Sequence, residues 1–159
     1  MTTWADFSDD APDLATRVQA RFDATGLGFM ATLRAGGGPR ISPIEPFFGS
    51  GDLWLGMMDG ARKLADLRRD PRLALHAASV DKNVAAGDAK LFGRAVEATP
   101  GHRERYRAAI AAAAVEVPPG EYPLFWVDIE EASFLTPGGD HLVIEWWKPG
   151  AGVTRVERR

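Results

Sequence analysis

Leu14, Val18 and Phe22 recur every fourth residue between Asp10 and Gly26, which predicts an amphipathic helix over residues 12–25 with its apolar stripe laid on a sheet. Beyond Gly26 the spacing changes to runs of strand length. Residues 29–34 and 40–48 read as strands joined by the turn Gly36-Gly37-Gly38-Pro39. Pro43 and Pro46 cannot donate to a ladder, so the second strand belongs at an edge, a bulge or the lip of a cleft. Residues 53–58 form a third apolar run closed by Asp59-Gly60, and residues 73–80 a fourth, followed by a polar loop over 81–88. A fifth strand is expected over 90–98. The alanine- and arginine-rich segment 102–117 reads as a second long helix, stopped by Pro118-Pro119-Gly120. Phe125, Val127 and Ile129 alternate with Trp126 and Asp128 in a sixth strand that continues towards Leu135, and residues 141–147 make a seventh. Lys148-Pro149-Gly150 then releases a charged tail over 151–159. Strands joined by short turns, with few helices between them, predict one α+β domain over residues 1–159, an antiparallel barrel with flanking helices.

Residues 51–75, GDLWLGMMDGARKLADLRRDPRLAL, concentrate the chemistry. A short helix between Gly60 and Pro71 carries Leu64 and Leu67 on one stripe, and its cations Arg62, Lys63, Arg68 and Arg69, with Arg72 just beyond it, outnumber Asp66 and Asp70. Arg62 and Lys63 fall in the first turn, at the positive end of the helix dipole, where a carboxylate or phosphate is the stable neighbour. A phosphate held by backbone N–H groups near Gly60 and Ala61, with these two side chains beside it, resolves the conflict. The same residues also permit plain i,i+4 pairs, Asp59 with Lys63 and Arg62 with Asp66, on a solvated helix face.

The formal net charge of -3 makes this basic helix a local feature, suited to a small anionic ligand and not to nucleic acid. The absence of cysteine removes disulfides, thiol nucleophiles and cysteine-ligated zinc. His76, His102 and His141 have no partner at metal-ligand spacing, and Ser50 in FGSGD is not a nucleophile elbow. Gly26–Ala31, GLGFMA, runs from helix into strand, the reverse of a dinucleotide fingerprint. Glu130 and Glu131 are neighbours in an extended segment, which sends them to opposite faces. An enzyme of this composition relies on a bound cofactor. No segment has the apolar length of a membrane span and the acidic N-terminus is no leader, so the cytoplasm is the expected location.

The order of these parts resembles the FMN-binding split β-barrel superfamily of pyridoxamine 5'-phosphate oxidase-like proteins, including their relatives that use the deazaflavin F-420. The most specific portion, ARKLADLRRDPRLAL, is similar to the family's S-R-K-x-x-N-L-x-x-D-P-R-V-x-L signature; RISPIEPFF resembles its ring-lining strand and KLFGRAVEA its G-x-A strand. The resemblance implies an antiparallel six- to seven-stranded split β-barrel that forms a homodimer with two cofactors in clefts between subunits. Arg62 and Lys63 become the cofactor-phosphate ligands; Arg40, Ile41, Ser42 and Pro43, on to Glu45, lie along the ring and ribityl chain, and Gly56 and Met57 supply backbone contacts. Ala61 stands where the family often has serine or threonine, and Glu45 where many members keep a basic or neutral polar residue. The tail TRVERR lacks the arginine-leucine-proline ending of true pyridoxamine phosphate oxidases. Trp146 and Trp147 fit either the partner's cofactor or the core. The implied function is an oxidoreductase that moves a hydride to or from a small organic substrate with FMN, or alternatively with F-420. The other class implied is a non-catalytic flavin- or haem-binding protein of the same fold.

Overall fold

The computed structural model describes residues 1–79 and 81–159. Its order is α1 (Trp4–Asp10), α2 (Pro12–Asp23), β1 (Gly28–Leu33), β2 (Pro39–Ile44), β3 (Pro46–Gly49), β4 (Asp52–Gly56), α3 (Arg62–Arg69), β5 (Arg72–Ala77), β6 (Asp88–Glu97), α4 (Pro100–Ala112), β7 (Leu124–Pro137), β8 (Leu142–Lys148) and β9 (Gly152–Arg158). The α+β class and antiparallel pairing agree with the sequence pattern, but the sheet has nine strands where six or seven were expected.

Two of the additional strands have clear causes. Residues 40–48 are two strands, because the chain leaves the β1 ladder after Ile44 and, from Pro46, joins β4 instead. The charged tail is not released: β9 pairs with β8 from Gly152 to Arg158, through a hairpin whose Gly150 has φ +75°. α1 is also unanticipated. A reciprocal capping box between Thr3 and Asp6 starts it, and Trp4 and Phe7, three apart, are its buried residues. The expected end of the fourth strand, Val80, lies outside the described residues, and β5 stops at Ala77. α4 begins at Pro100, behind a Thr99–His102 capping box, and ends at Ala112 because the chain turns through Ala114 at φ +52°.

The main ladder runs β2-β1-β5-β6-β7-β4-β3, with β8 and β9 branching from the second half of β7. β2 and β3 are its two ends, yet only Glu45 separates them in the chain. Ile44 and Pro46 therefore lie within about 7 Å, whereas the ends of a flat seven-stranded path stand roughly 29 Å apart at about 4.8 Å per strand. The path must curl round on itself. The result is a barrel with an unladdered seam at Glu45.

Met30, Leu53, Leu55, Leu75, Leu91 and Val127 fill the barrel, and Phe7, Leu14, Val18 and Phe22 close it from α1 and α2. A second cluster, Trp54, Tyr106, Leu124 and Trp126, lies outside the barrel wall under α4. β7 reaches both by alternation, Leu124 and Trp126 on one face and Phe125, Val127 and Ile129 on the other, and then bulges: Gly93 pairs with Ile129 and Phe92 with Glu131, so Glu130 is extra. Ile129 and Ala132 both stay buried, while Glu130 is exposed and Glu131 half-buried on the outer side, ion-paired with Lys148. The bulge thus cancels the expected separation of the two glutamates. It also explains Gly93, where an added Cβ would stand 2.2 Å from the Asp128 carbonyl oxygen. Among the described residues, no helix is long and apolar enough to cross a membrane.

Candidate functional site

α3 opens without a cap. Ala61 occupies the N-cap position, has no side chain to offer the first turn, and that turn holds no acidic residue. Leu64 N–H and Ala65 N–H both bond back to the Ala61 carbonyl, which leaves the N–H groups of Arg62 and Lys63 without a partner among the described residues. Lys63 turns sideways, and its Nζ donates to the Pro43 carbonyl at 2.6 Å, tying the start of the helix to β2. Burial pushes its ammonium pKa down, while the Glu45 carboxylate acts in the opposite direction. Arg62 is exposed and forms no ion pair among the described residues. Two free N–H groups at the positive end of a dipole and an uncommitted guanidinium make a corner that can hold a phosphate.

The corner is held rigid from behind. Asp66, 3% exposed, accepts from Thr32 Oγ1 at 2.9 Å, Arg40 Nε at 2.6 Å and Arg69 Nη2 at 3.1 Å. Burial raises the Asp66 pKa, but the donors from Arg40, Arg69 and Thr32 outweigh it and bring the carboxyl to about 2. β1, β2 and α3 are thereby fastened at one point. Neither i,i+4 pair expected on a solvated helix forms: Asp66 goes to Arg40 and Arg69, and Lys63 to a carbonyl.

The sequence-derived residues divide into two groups. Arg62, Lys63 and Pro43 come together at the helix start. Along β2, burial alternates, so Ile41 and Pro43 face outward while Arg40 and Ser42 share the barrel side with buried Ile44. Prolines at 39 and 43 cannot donate, and the alternation of the ladder therefore puts Ile41 with them on the edge away from β1. A ligand on the outer surface meets Ile41 and Pro43; Arg40, committed to Asp66, positions the helix instead. Gly56 is backed by the Tyr122 ring, and the Met57 N–H donates to the Pro123 carbonyl at 2.9 Å. Met57 is 4% exposed, so the expected contact through its N–H is already spent, whereas Met58 is 81% exposed beside the corner.

Thr32 and the carbonyl of Pro43 were not marked by the sequence. The signal for the first was present: a lone carboxylate amid cations on a short helix calls for partners elsewhere. The basic run after Lys63 is paired internally, Arg68 with Glu97 at 2.5 Å, Arg69 with Asp66 and Leu33, and Arg72 with Asp70 at 2.6 Å. Of the last-strand tryptophans, Trp147 is core, 1% exposed, with Nε1 donating to Asp10 at 2.6 Å. The described residues hold no group of three or more His, Cys, Asp or Glu placed to bind a metal.

The family model described as Pyridoxamine 5'-phosphate oxidase matches residues 14–136, which include the whole corner. No curated protein matches the chain. Among solved structures, PhzG from Burkholderia lata 383, in complex with tetrahydrophenazine-1-carboxylic acid, is 15% identical, with 94% of this chain and 93% of that chain covered and a TM-score of 0.67. A pyridoxamine 5'-phosphate oxidase-related, FMN binding protein from Nostoc punctiforme PCC 73102 is 10% identical, covering 93% and 95%, with a TM-score of 0.65. A heme binding protein from Mycobacterium smegmatis is 16% identical, covering 89% and 87%, with a TM-score of 0.58. At these identities the likeness is one of fold.

Proposed function

Because the chain belongs to the pyridoxamine 5'-phosphate oxidase family, we propose that it is an oxidoreductase that holds FMN at the α3 corner and serves hydride transfer to or from a small organic substrate. The observation that carries this reading is the uncapped start of α3, where among the described residues two N–H groups have no partner and Arg62 no ion pair, while Lys63 is fixed on Pro43. A bound flavin supplies the redox chemistry in its ring. The chain's own residues hold the phosphate, present Ile41 and Met58 as apolar surface for the ring, and keep α3 in place through Asp66.

FMN is favoured over F-420 by the state of the basic run. An oligoglutamate tail needs cations to spare, and Arg68, Arg69 and Arg72 are each engaged by a carboxylate of this chain. For two of the three histidines haem ligation costs existing contacts: His76 lies between Asp88 at 2.8 Å and the Ala77 carbonyl at 2.7 Å, and His141 between Asp140 and Glu157, while His102 is used through Nδ1 in the cap of α4.

The site is completed by a second copy in this proposal. Ile41, Ala31, Ala74 and Phe92 sit in register across β2, β1, β5 and β6, with Phe29 in the next row. Ile41 is 74%, Phe29 48% and Phe92 37% exposed, an apolar stripe that association with an identical face would cover. The test is a titration of the purified chain with FMN, riboflavin and F-420, followed by visible absorption and sedimentation. FMN bound to a dimer, far tighter than riboflavin, supports the proposal; equal affinity for FMN and riboflavin places the phosphate outside the corner. Turnover no faster than that of free FMN would leave a flavin-binding protein without catalysis.

A further inference from the structure

We infer that the cleft between α4 and the segment 117–122 binds a small carboxylic acid with an apolar body about the size of one ring. α4 presents Arg103, Tyr106, Arg107 and Ile110 along a single face, at i, i+3, i+4 and i+7, and they line a cavity of about 230 Å³. Val117, Pro118 and Tyr122 form its opposite wall and Leu124 its floor. Drug-sized sites run to roughly 300–1,000 Å³, so this one suits a smaller guest.

Its polar groups are under-used in a consistent direction. Tyr106 is 8% exposed, and its hydroxyl meets that of Tyr122 at 2.9 Å. Two phenols sharing one bond retain one O–H to give. Arg103 donates Nη1 to the Tyr122 carbonyl at 3.0 Å and keeps its other donors. Glu97 acts on Arg103 through space but directs both carboxylate oxygens at Arg68. Among the described residues Arg107 is ion-paired only with Glu121, a carboxylate that also lines the cleft, at 3.6 Å and with both side chains more than half exposed. Two guanidinium groups on successive turns of one helix face repel each other, and an anion between them removes that cost. Donors in surplus select a carboxylate, and the walls of Ile110, Val117, Pro118 and Leu124 select an apolar body over a bare inorganic anion. The cleft is separate from the α3 corner. Tyr122, which lines the cleft, also backs Gly56 at the end of β4.

The test is an amide-resonance titration of the full chain with benzoate, its neutral isostere benzamide, and inorganic phosphate. Benzoate should move resonances of residues 103–110 and 117–124, bind about tenfold more tightly than benzamide, and leave residues 60–64 unmoved; phosphate should show the reverse pattern. The double change Arg103→Gln/Arg107→Gln should bring benzoate to the level of benzamide, and Arg107→Gln alone, at a mostly exposed position, should go part of the way. Equal affinity for the two probes, benzoate shifts confined to residues 60–64, or no shifts at about 10 mM, a reach expected for so small a ligand, would overturn the inference. Because phosphate reports on the corner independently, failure here leaves the flavin reading standing.

Discussion

Asp66 and Asp52 are both buried carboxylates, 3% and 1% exposed, yet the molecule treats them in opposite ways. Asp66 receives donors from β1, β2 and α3, and its carboxyl falls to about 2. Asp52, at the start of β4, has Arg105 Nη2 2.9 Å from one oxygen, but neither oxygen makes a well-formed hydrogen bond among the described residues. Burial raises its pKa, against weaker opposition from Arg105 and His102. Burial alone therefore sets neither charge state nor rigidity; the number and direction of donors do. The side of the molecule with α3 is locked around a charge, ready to receive a second one, while the side with α4 carries a charge it would hold more easily as the acid.

The largest break in this contrast comes from Asp66→Ala, which strands Arg40 and the Thr32 hydroxyl; we expect a loss of about 3–5 kcal/mol in urea unfolding. Arg62→Ala acts on the ligand instead, and should weaken FMN binding by about 1.5–3 kcal/mol while leaving riboflavin almost untouched, measured by fluorescence quenching. Asp52→Asn should do the reverse of the first change and stabilise the protein at neutral pH by on the order of 1 kcal/mol, or about 2–4 °C in Tm for a chain of this size. The signs with pH are opposite. Asp66, whose folded pKa is depressed, contributes stability that is complete above its unfolded value near 4 and is lost as pH falls through about 2. Asp52, whose folded pKa is raised, costs stability while ionised, and the cost is relieved as pH falls through that value, so the advantage of Asp52→Asn should shrink in mildly acidic buffer. A gap that widens on acidification would show Asp52 to be a stabilising ion. Smallest of all, Arg68→Gln removes an exposed pair with Glu97 worth about 0.2–1 kcal/mol and should leave FMN affinity unchanged.

Much of this contrast is invisible in the sequence, for identifiable reasons. The run Arg62-Lys63 at a helix start is a local pattern, and the corner could be located from it. The two prolines of residues 40–48 correctly marked an edge, but the exchange of partners at Glu45 depends on which strand β3 meets, a fact settled 9 residues later in the chain by β4. The resemblance places Arg40 along the cofactor, and its bond to Asp66 is not legible locally because that partner lies 26 residues away on a helix that only the docking of α3 brings to it. Glu130 and Glu131 obey alternation until a bulge that no local residue demands. Nothing beside Asp52 in the chain announces its burial, because α4, which carries its partner Arg105, begins almost 50 positions later.

The single-residue link at Glu45 also sets an order of assembly. The β1–β2 and β3–β4 hairpins are local and can form as soon as their residues exist. They cannot meet as a barrel until β5, β6 and β7 lie between them, and β7 alone touches both halves, β6 on one flank and β4 on the other. A ribosome that has released only residues 1–110 thus holds a β2-β1-β5-β6 ladder and a separate β3–β4 hairpin with β4's second edge open, and completion waits for Leu124–Pro137. A slow closing step that depends on the last third of the chain, and a need for protection of that edge during synthesis, follow from one glutamate between two strands.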